Sequence, residues 1–271
     1  MELPKIGFGT YLLENVQVNV KSALDNGYKH IDTARFYKNE SDIGAVLQNY
    51  ERGKLFVTTK LWCDDHFRVE EAMNESLRDL KMDYVDLYLI HWPITVTIED
   101  GERRCQIADV GKVWQAMERL VISGKARHIG VSNFNIAQLE RVLNICTIRP
   151  YANQFELHPL CYPEKLISFC KSKDIKVIAY SSLGASSCEY MSNETLAKIS
   201  QETNLTIPQV LLSWAYSKGF YVIPKTNNSA RIKENFKIKT IETTEIDKIH
   251  ESKKLRVFNP KEFFGVDVQY E

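Results

Sequence analysis

The sequence predicts an α/β fold, a (β/α)8 barrel of the TIM type, formed as one domain over residues 1–271. Three observations carry that expectation. Eight short runs rich in β-branched and aromatic residues alternate with stretches of helical periodicity; the unit recurs about every 30 residues; and the runs are apolar nearly throughout. Strands of that kind belong to a parallel sheet covered by helices on its faces. Eight such units point to closure into a barrel, with an open doubly wound sheet as the competing architecture.

In chain order the candidate strands are KIGFGT (5–10), KHIDT (29–33), KLFVTTKLW (54–62), DLYLIHW (86–92), ARHIGVSN (126–133), ANQFEL (152–157), KVIAYSS (176–182) and FYVIPKT (220–226). Between them, RVEEAMNESLRDLKM (68–82) places Val69, Ala72, Met73, Ser76, Leu77 and Leu80 on one face at helical spacing. The stretches 113–124 and 163–174 behave alike, and the second opens on Pro163, as a first helical turn permits. Two connections are long: a polar insertion at 93–111 and the segment 183–192. Long loops tend to carry function, and both lie where barrel strands end.

Composition excludes several classes. The chain is 44% hydrophobic and 26% charged, and its 35 basic residues balance 35 acidic ones, so no net field draws nucleic acid or an anionic membrane. No apolar run approaches the roughly 18 residues needed to span a bilayer. MELPKIGFGT has no basic stretch followed by an apolar core, so no secretory signal is expected. The six cysteines are scattered without a C-x-x-C pair, which predicts reduced thiols and a cytoplasmic location, and no metal motif such as H-E-x-x-H occurs. No coiled coil or interface stripe is visible, and a monomer stands as the default.

Three strands end on an ionisable group: Asp32, Lys60 and His91; Tyr37 follows the first by one loop. A carboxylate at the end of a buried strand needs a partner. In a barrel the strand ends converge on one face, so Lys60 of the next strand can supply it. A phenol titrates near 10, and a nearby ammonium is expected to lower that value while the carboxylate holds the ammonium in place. A carbonyl between Tyr37 and His91 would be polarised, with the phenol protonating the developing alkoxide. No side chain supplies a hydride, so a nicotinamide cofactor is required. The dinucleotide fingerprint G-x-G-x-x-G is missing, because GFGTYL lacks the third glycine. Lys225, Thr226 and Arg231 instead gather two cations and a hydroxyl where a strand gives way to a helix, a combination suited to a phosphate monoester. Tyr11, Trp62 and Trp92 adjoin these strand ends as an aromatic pocket rim, with variable substrate contacts expected from 93–111 and from the tail VFNPKEFFGVDVQYE.

The segments GYKHIDTARFYKNESDIG, KLW, DLYLIHWP, GKARHIGVSNF, NQFELHP and VIPKTNNSARIKEN, in that order across nearly the whole chain, resemble the aldo-keto reductase superfamily, in particular its aldose and aldehyde reductases. The resemblance implies a catalytic tetrad of Asp32, Tyr37, Lys60 and His91. It implies NADP(H) in preference to NAD(H), with Lys225, Thr226 and Arg231 on the 2′-phosphate and Glu234 and Asn235 on the adenine. Ser132, Asn133 and Gln154 would bind the nicotinamide carboxamide, Tyr180 would stack on its ring, and Ser181 and Leu183 would touch the pyrophosphate. Thr10 and Asp32 are further cofactor contacts. The implied activity is reduction of aldehydes, ketones or sugars to alcohols, with Tyr37 as general acid. His91 stands where members reducing carbon–carbon double bonds carry glutamate. The alternative is a non-catalytic, cofactor-binding regulatory or structural protein on the same barrel; the intact tetrad argues against it. A metal-assisted hydrolase would need a strand-end ligand cluster that the sequence lacks. Three positions depart from the family pattern: Tyr11 for a frequent tryptophan, Ser182 for proline and Thr226 for serine. The residues ahead of PKIGFGT are too few for the usual hairpin on the barrel floor. The loop after Gly184 is short, which predicts fast cofactor release.

Overall fold

A computed structural model of the chain describes residues 1–184, 188–249 and 255–270. Its strands, in chain order, are β1 (Phe8–Gly9), β2 (His30–Asp32), β3 (Phe56–Leu61), β4 (Val85–Ile90), β5 (Ile94–Glu99), β6 (Glu102–Ile107), β7 (Ala126–Ser132), β8 (Ala152–Glu156), β9 (Lys176–Tyr180) and β10 (Tyr221–Val222). Eight of them form one parallel sheet in the order β1-β2-β3-β4-β7-β8-β9-β10. The sheet curls until its ends meet: Ile6 bridges Val222 in parallel, Gly7 N donates to Val222 O at 2.8 Å, and Gly9 N donates to Pro224 O at 3.1 Å. That closure rules out the open sheet and leaves no free edge.

The period of two along each strand sorts side chains between the barrel interior and the helical shell. Phe56, Leu87, Leu89, Ala152, Ile178 and Ile223 pack together with Leu3 in the interior. Val57, Leu61, Val85, Ile90 and Val131 belong instead to the larger core under the helices. On the interior parity, Phe56 is followed by Thr58 and Lys60, and Leu89 by His91. The floor layer includes His30, whose Nε2 lies 2.9 Å from Thr58 Oγ1. A Cβ on Gly7 would stand 2.3 Å from the His30 ring, so the residue just ahead of β1 has to be glycine.

The helical reading of 68–82 corresponds to α-helix Val69–Leu80, whose buried residues are the six assigned to one face. The two other stretches form Val110–Ile122 and Glu164–Ser172; Pro163 sits at the cap just outside the second, not in its first turn. One expectation fails. The insertion 93–111 is not an irregular polar loop but a β-hairpin, β5 paired antiparallel with β6. Its turn is Asp100-Gly101, both at positive φ (54° and 80°), the backbone that an Asp-Gly pair favours in a two-residue hairpin. The alternation of ITVTIE ahead of that pair was the overlooked signal. Among the described residues no helix is long and apolar enough to cross a membrane.

Candidate active site

The strand ends converge as the parity argument requires. Lys60 is fully buried, and its three N–H bonds are all engaged: to Asp32 Oδ1 at 2.5 Å, to Thr33 O at 2.8 Å and to Tyr37 Oη at 3.3 Å. Asp32 is held in turn by Gln154 Nε2, 2.8 Å from its Oδ2. The Thr10 hydroxyl donates to the Asp32 carbonyl at 3.0 Å. Tyr37 closes a short 3-10 turn, Arg35–Tyr37, that swings the phenol back over the barrel mouth. The Tyr37 and His91 rings lie 5.7 Å apart, and Trp62 packs against the other side of His91 at 5.0 Å.

Burial dominates the electrostatics. It pushes the Tyr37 phenol well above 10, with Asp32 and Tyr11 adding to the rise. The lowering expected from Lys60 is opposed by the cost of taking the phenolate out of water, which pushes this phenol the other way. Burial also lowers Lys60 against the raising influence of Asp32, and lowers His91 well below 6.5, with Lys60 lowering it further. At neutral pH Tyr37 keeps its proton and His91 is uncharged. That combination suits a group that gives a proton to a substrate oxygen.

A cavity of about 650 Å³ opens above these residues and is lined by Asp32, Tyr37 and His91. Tyr11, Trp62 and Trp92 line it as expected. So do Phe36, stacked on Trp62 at 3.8 Å, and the segment from Val257 to Phe264, apart from Lys261. No residue of 93–111 lines the cavity. The hairpin instead supports the tail from behind: Ile94 and Val96 pack with Trp92 and Phe264, and Arg103 lies over the Phe263 and Phe264 rings.

The residues assigned to the cofactor divide. Thr10, Asn133, Gln154, Tyr180, Ser181, Leu183 and Lys225 line the cavity; Ser132, Thr226, Arg231, Glu234 and Asn235 do not. Ser132 is buried behind the wall and donates to Gln154 O at 2.8 Å. Arg231 is exposed on helix Ser229–Asn235; Glu234, on the same helix, accepts from Thr206 at 2.6 Å, and Asn235 is buried. The donor set fits a nicotinamide. Gln154 uses its Nε2 on Asp32 and keeps Oε1 for a carboxamide, Asn133 presents an amide beside it, and Tyr180 offers an aromatic wall. The connection after Gly184 runs into residues 185–187, outside the described residues, and the expectation of rapid release falls on them.

Sequence comparison agrees with this geometry. The profile of the aldo/keto reductase family matches residues 5–254. A protein of Saccharomyces cerevisiae named glycerol 2-dehydrogenase (NADP+) is 38% identical over 92% of this chain and 87% of its own. An aldose reductase of Encephalitozoon cuniculi is 40% identical over 92% of this chain and 89% of its own. The solved structure of Giardia lamblia aldose reductase superposes with a TM-score of 0.91 at 33% identity, covering 98% of both chains.

Proposed function

The chain belongs to the aldo/keto reductase family, and on that premise we propose how its site works. The protein is an NADP(H)-dependent oxidoreductase that reduces carbonyl groups of small molecules to alcohols. The observation that carries the residue assignment is the Lys60 ammonium, which bridges Asp32 and the Tyr37 hydroxyl under the cavity beside an uncharged His91. When bound, NADP(H) supplies the hydride. Tyr37 donates its proton to the substrate oxygen, and Lys60, fixed by Asp32, holds that hydroxyl in place and offsets the charge left on it. His91 donates a hydrogen bond to the same oxygen and orients it. Gln154 and Asn133 would seat the carboxamide, and Tyr180 would pack on the ring. Lys225 and Arg231 would hold the 2′-phosphate with Thr226, which would favour NADP(H) over NAD(H).

Aromatic walls at Tyr11, Phe36, Trp62 and Trp92 favour aldehydes and ketones with an apolar or aromatic body, and such rings also stack on sugars. The test follows NADPH consumption with an aromatic aldehyde in wild type and Tyr37→Phe. Loss of the acid should lower kcat by about 100- to 10,000-fold while NADPH still binds. Equal turnover in the two proteins would remove Tyr37 from the chemistry.

A further inference from the structure

One wall of the cavity belongs to the segment 255–270, and buried groups at the end of β8 fasten it. Leu255 N donates to Leu160 O at 2.8 Å. The carboxylate of fully buried Glu156 accepts the backbone N–H groups of Val257 at 2.7 Å and Phe258 at 2.8 Å, and lies 2.9 Å from His158 Nε2. Further along, Tyr270 turns back into the barrel. Its ring is stacked by the Arg256 guanidinium at 3.9 Å, its hydroxyl accepts from Glu156 N at 3.2 Å, and it donates to Asn133 Oδ1 at 3.2 Å.

Asn133 is thereby saturated. Its Nδ2 donates to His91 O at 3.0 Å and to Ser132 Oγ at 3.1 Å, while its Oδ1 accepts from Tyr180 at 2.8 Å as well as from Tyr270. An amide oxygen takes two hydrogen bonds, so an arriving carboxamide N–H must replace one of these hydroxyls. Tyr180 lines the cavity and Tyr270 does not. The Tyr180 bond is the one within reach of exchange; the Tyr270 bond stays.

We propose that Tyr270 is a positioning residue whose hydroxyl keeps Asn133 Oδ1 aimed at the cofactor and ties the nicotinamide seat to the substrate wall. This rests on the assignment of Asn133 to the carboxamide. A neutral residue in the segment that forms the substrate wall thus contributes to cofactor affinity through Asn133.

A thermodynamic cycle tests it, reading NADPH dissociation constants from quenching of tryptophan fluorescence in the full chain. Tyr270→Phe keeps the ring and its Arg256 contact and should weaken NADPH by about fivefold, the effect of one buried hydrogen bond. Asn133→Ala should weaken NADPH as well, and the double variant should be no weaker than Asn133→Ala alone. Phe263→Ala trims the same wall at a ring that packs on Phe36 and Trp62, and should raise the aldehyde KM while leaving NADPH affinity unchanged. A wild-type dissociation constant in Tyr270→Phe, or a full additive loss in the double variant, would overturn the proposal. If Asn133→Ala binds NADPH as wild type does, the seat assignment beneath it fails instead.

Discussion

The side chains that matter most here are held against the preference of water. Lys60, Asp32 and His91 are all nearly inaccessible, and desolvation shifts Lys60 and His91 toward their neutral forms. The short Lys60–Asp32 contact keeps that pair in register below the phenol. Arg231 sits at the opposite extreme, exposed on helix Ser229–Asn235 and governed by whatever anion approaches. Arg231→Ala should therefore weaken NADPH by about tenfold or more and leave NADH almost unaffected, since a charge-assisted contact to phosphate is lost from one cofactor only. Paired dissociation constants measure it. Equal weakening of both cofactors would place this arginine elsewhere.

Among the elements, hairpin β5–β6 is a buttress and not a lid. It meets the pocket through residues it supports, Trp92, Phe263 and Phe264, and its tip at Gly101 meets no other atoms that a Cβ would strike. A branched residue there pays only for its positive φ. Gly101→Val should cost about 1–2 kcal/mol of unfolding free energy in a denaturant titration while kcat/KM for a small aldehyde stays put. A drop in kcat/KM without a drop in stability would show the hairpin acting on the substrate directly. Behind the Tyr37 turn, buried Glu40 at the start of helix Glu40–Leu47 accepts from Thr59 of β3 at 2.5 Å and from Ser76 of helix Val69–Leu80 at 3.0 Å.

The barrel as a whole encloses histidines that never meet water. Burial lowers His30 in the floor and His66 beneath the hairpin to about 4, from 6.5. In the unfolded chain both take up protons below pH 6.5, whereas the folded chain refuses them until pH 4. Their contribution is thus complete above pH 6.5 and is lost as the pH falls toward 4. Between pH 7 and 5 the pair should cost about 4 kcal/mol of unfolding free energy, at about 1.4 kcal/mol per pH unit for each group. His66→Leu should remove about half of that slope. A variant with the wild-type slope would mean that His66 titrates normally in the fold.

At this same scale the sequence and the structure part company. The barrel was legible because eight apolar runs at a near-constant repeat leave few other ways to bury both faces of a parallel sheet. The tetrad was legible because each member ends a strand or follows one by a single loop, so topology alone brings Asp32, Tyr37, Lys60 and His91 together. What the sequence could not decide was the balance of opposing energies at one atom. It set an ammonium beside a phenol and predicted a more acidic tyrosine; in the packed site burial acts in the opposite sense and raises Tyr37. Nor could it place Tyr270 against Asn133, 137 residues away in the chain. Local pattern encodes periodicity and strand ends, whereas desolvation and long-range contact exist only once the chain has closed on itself.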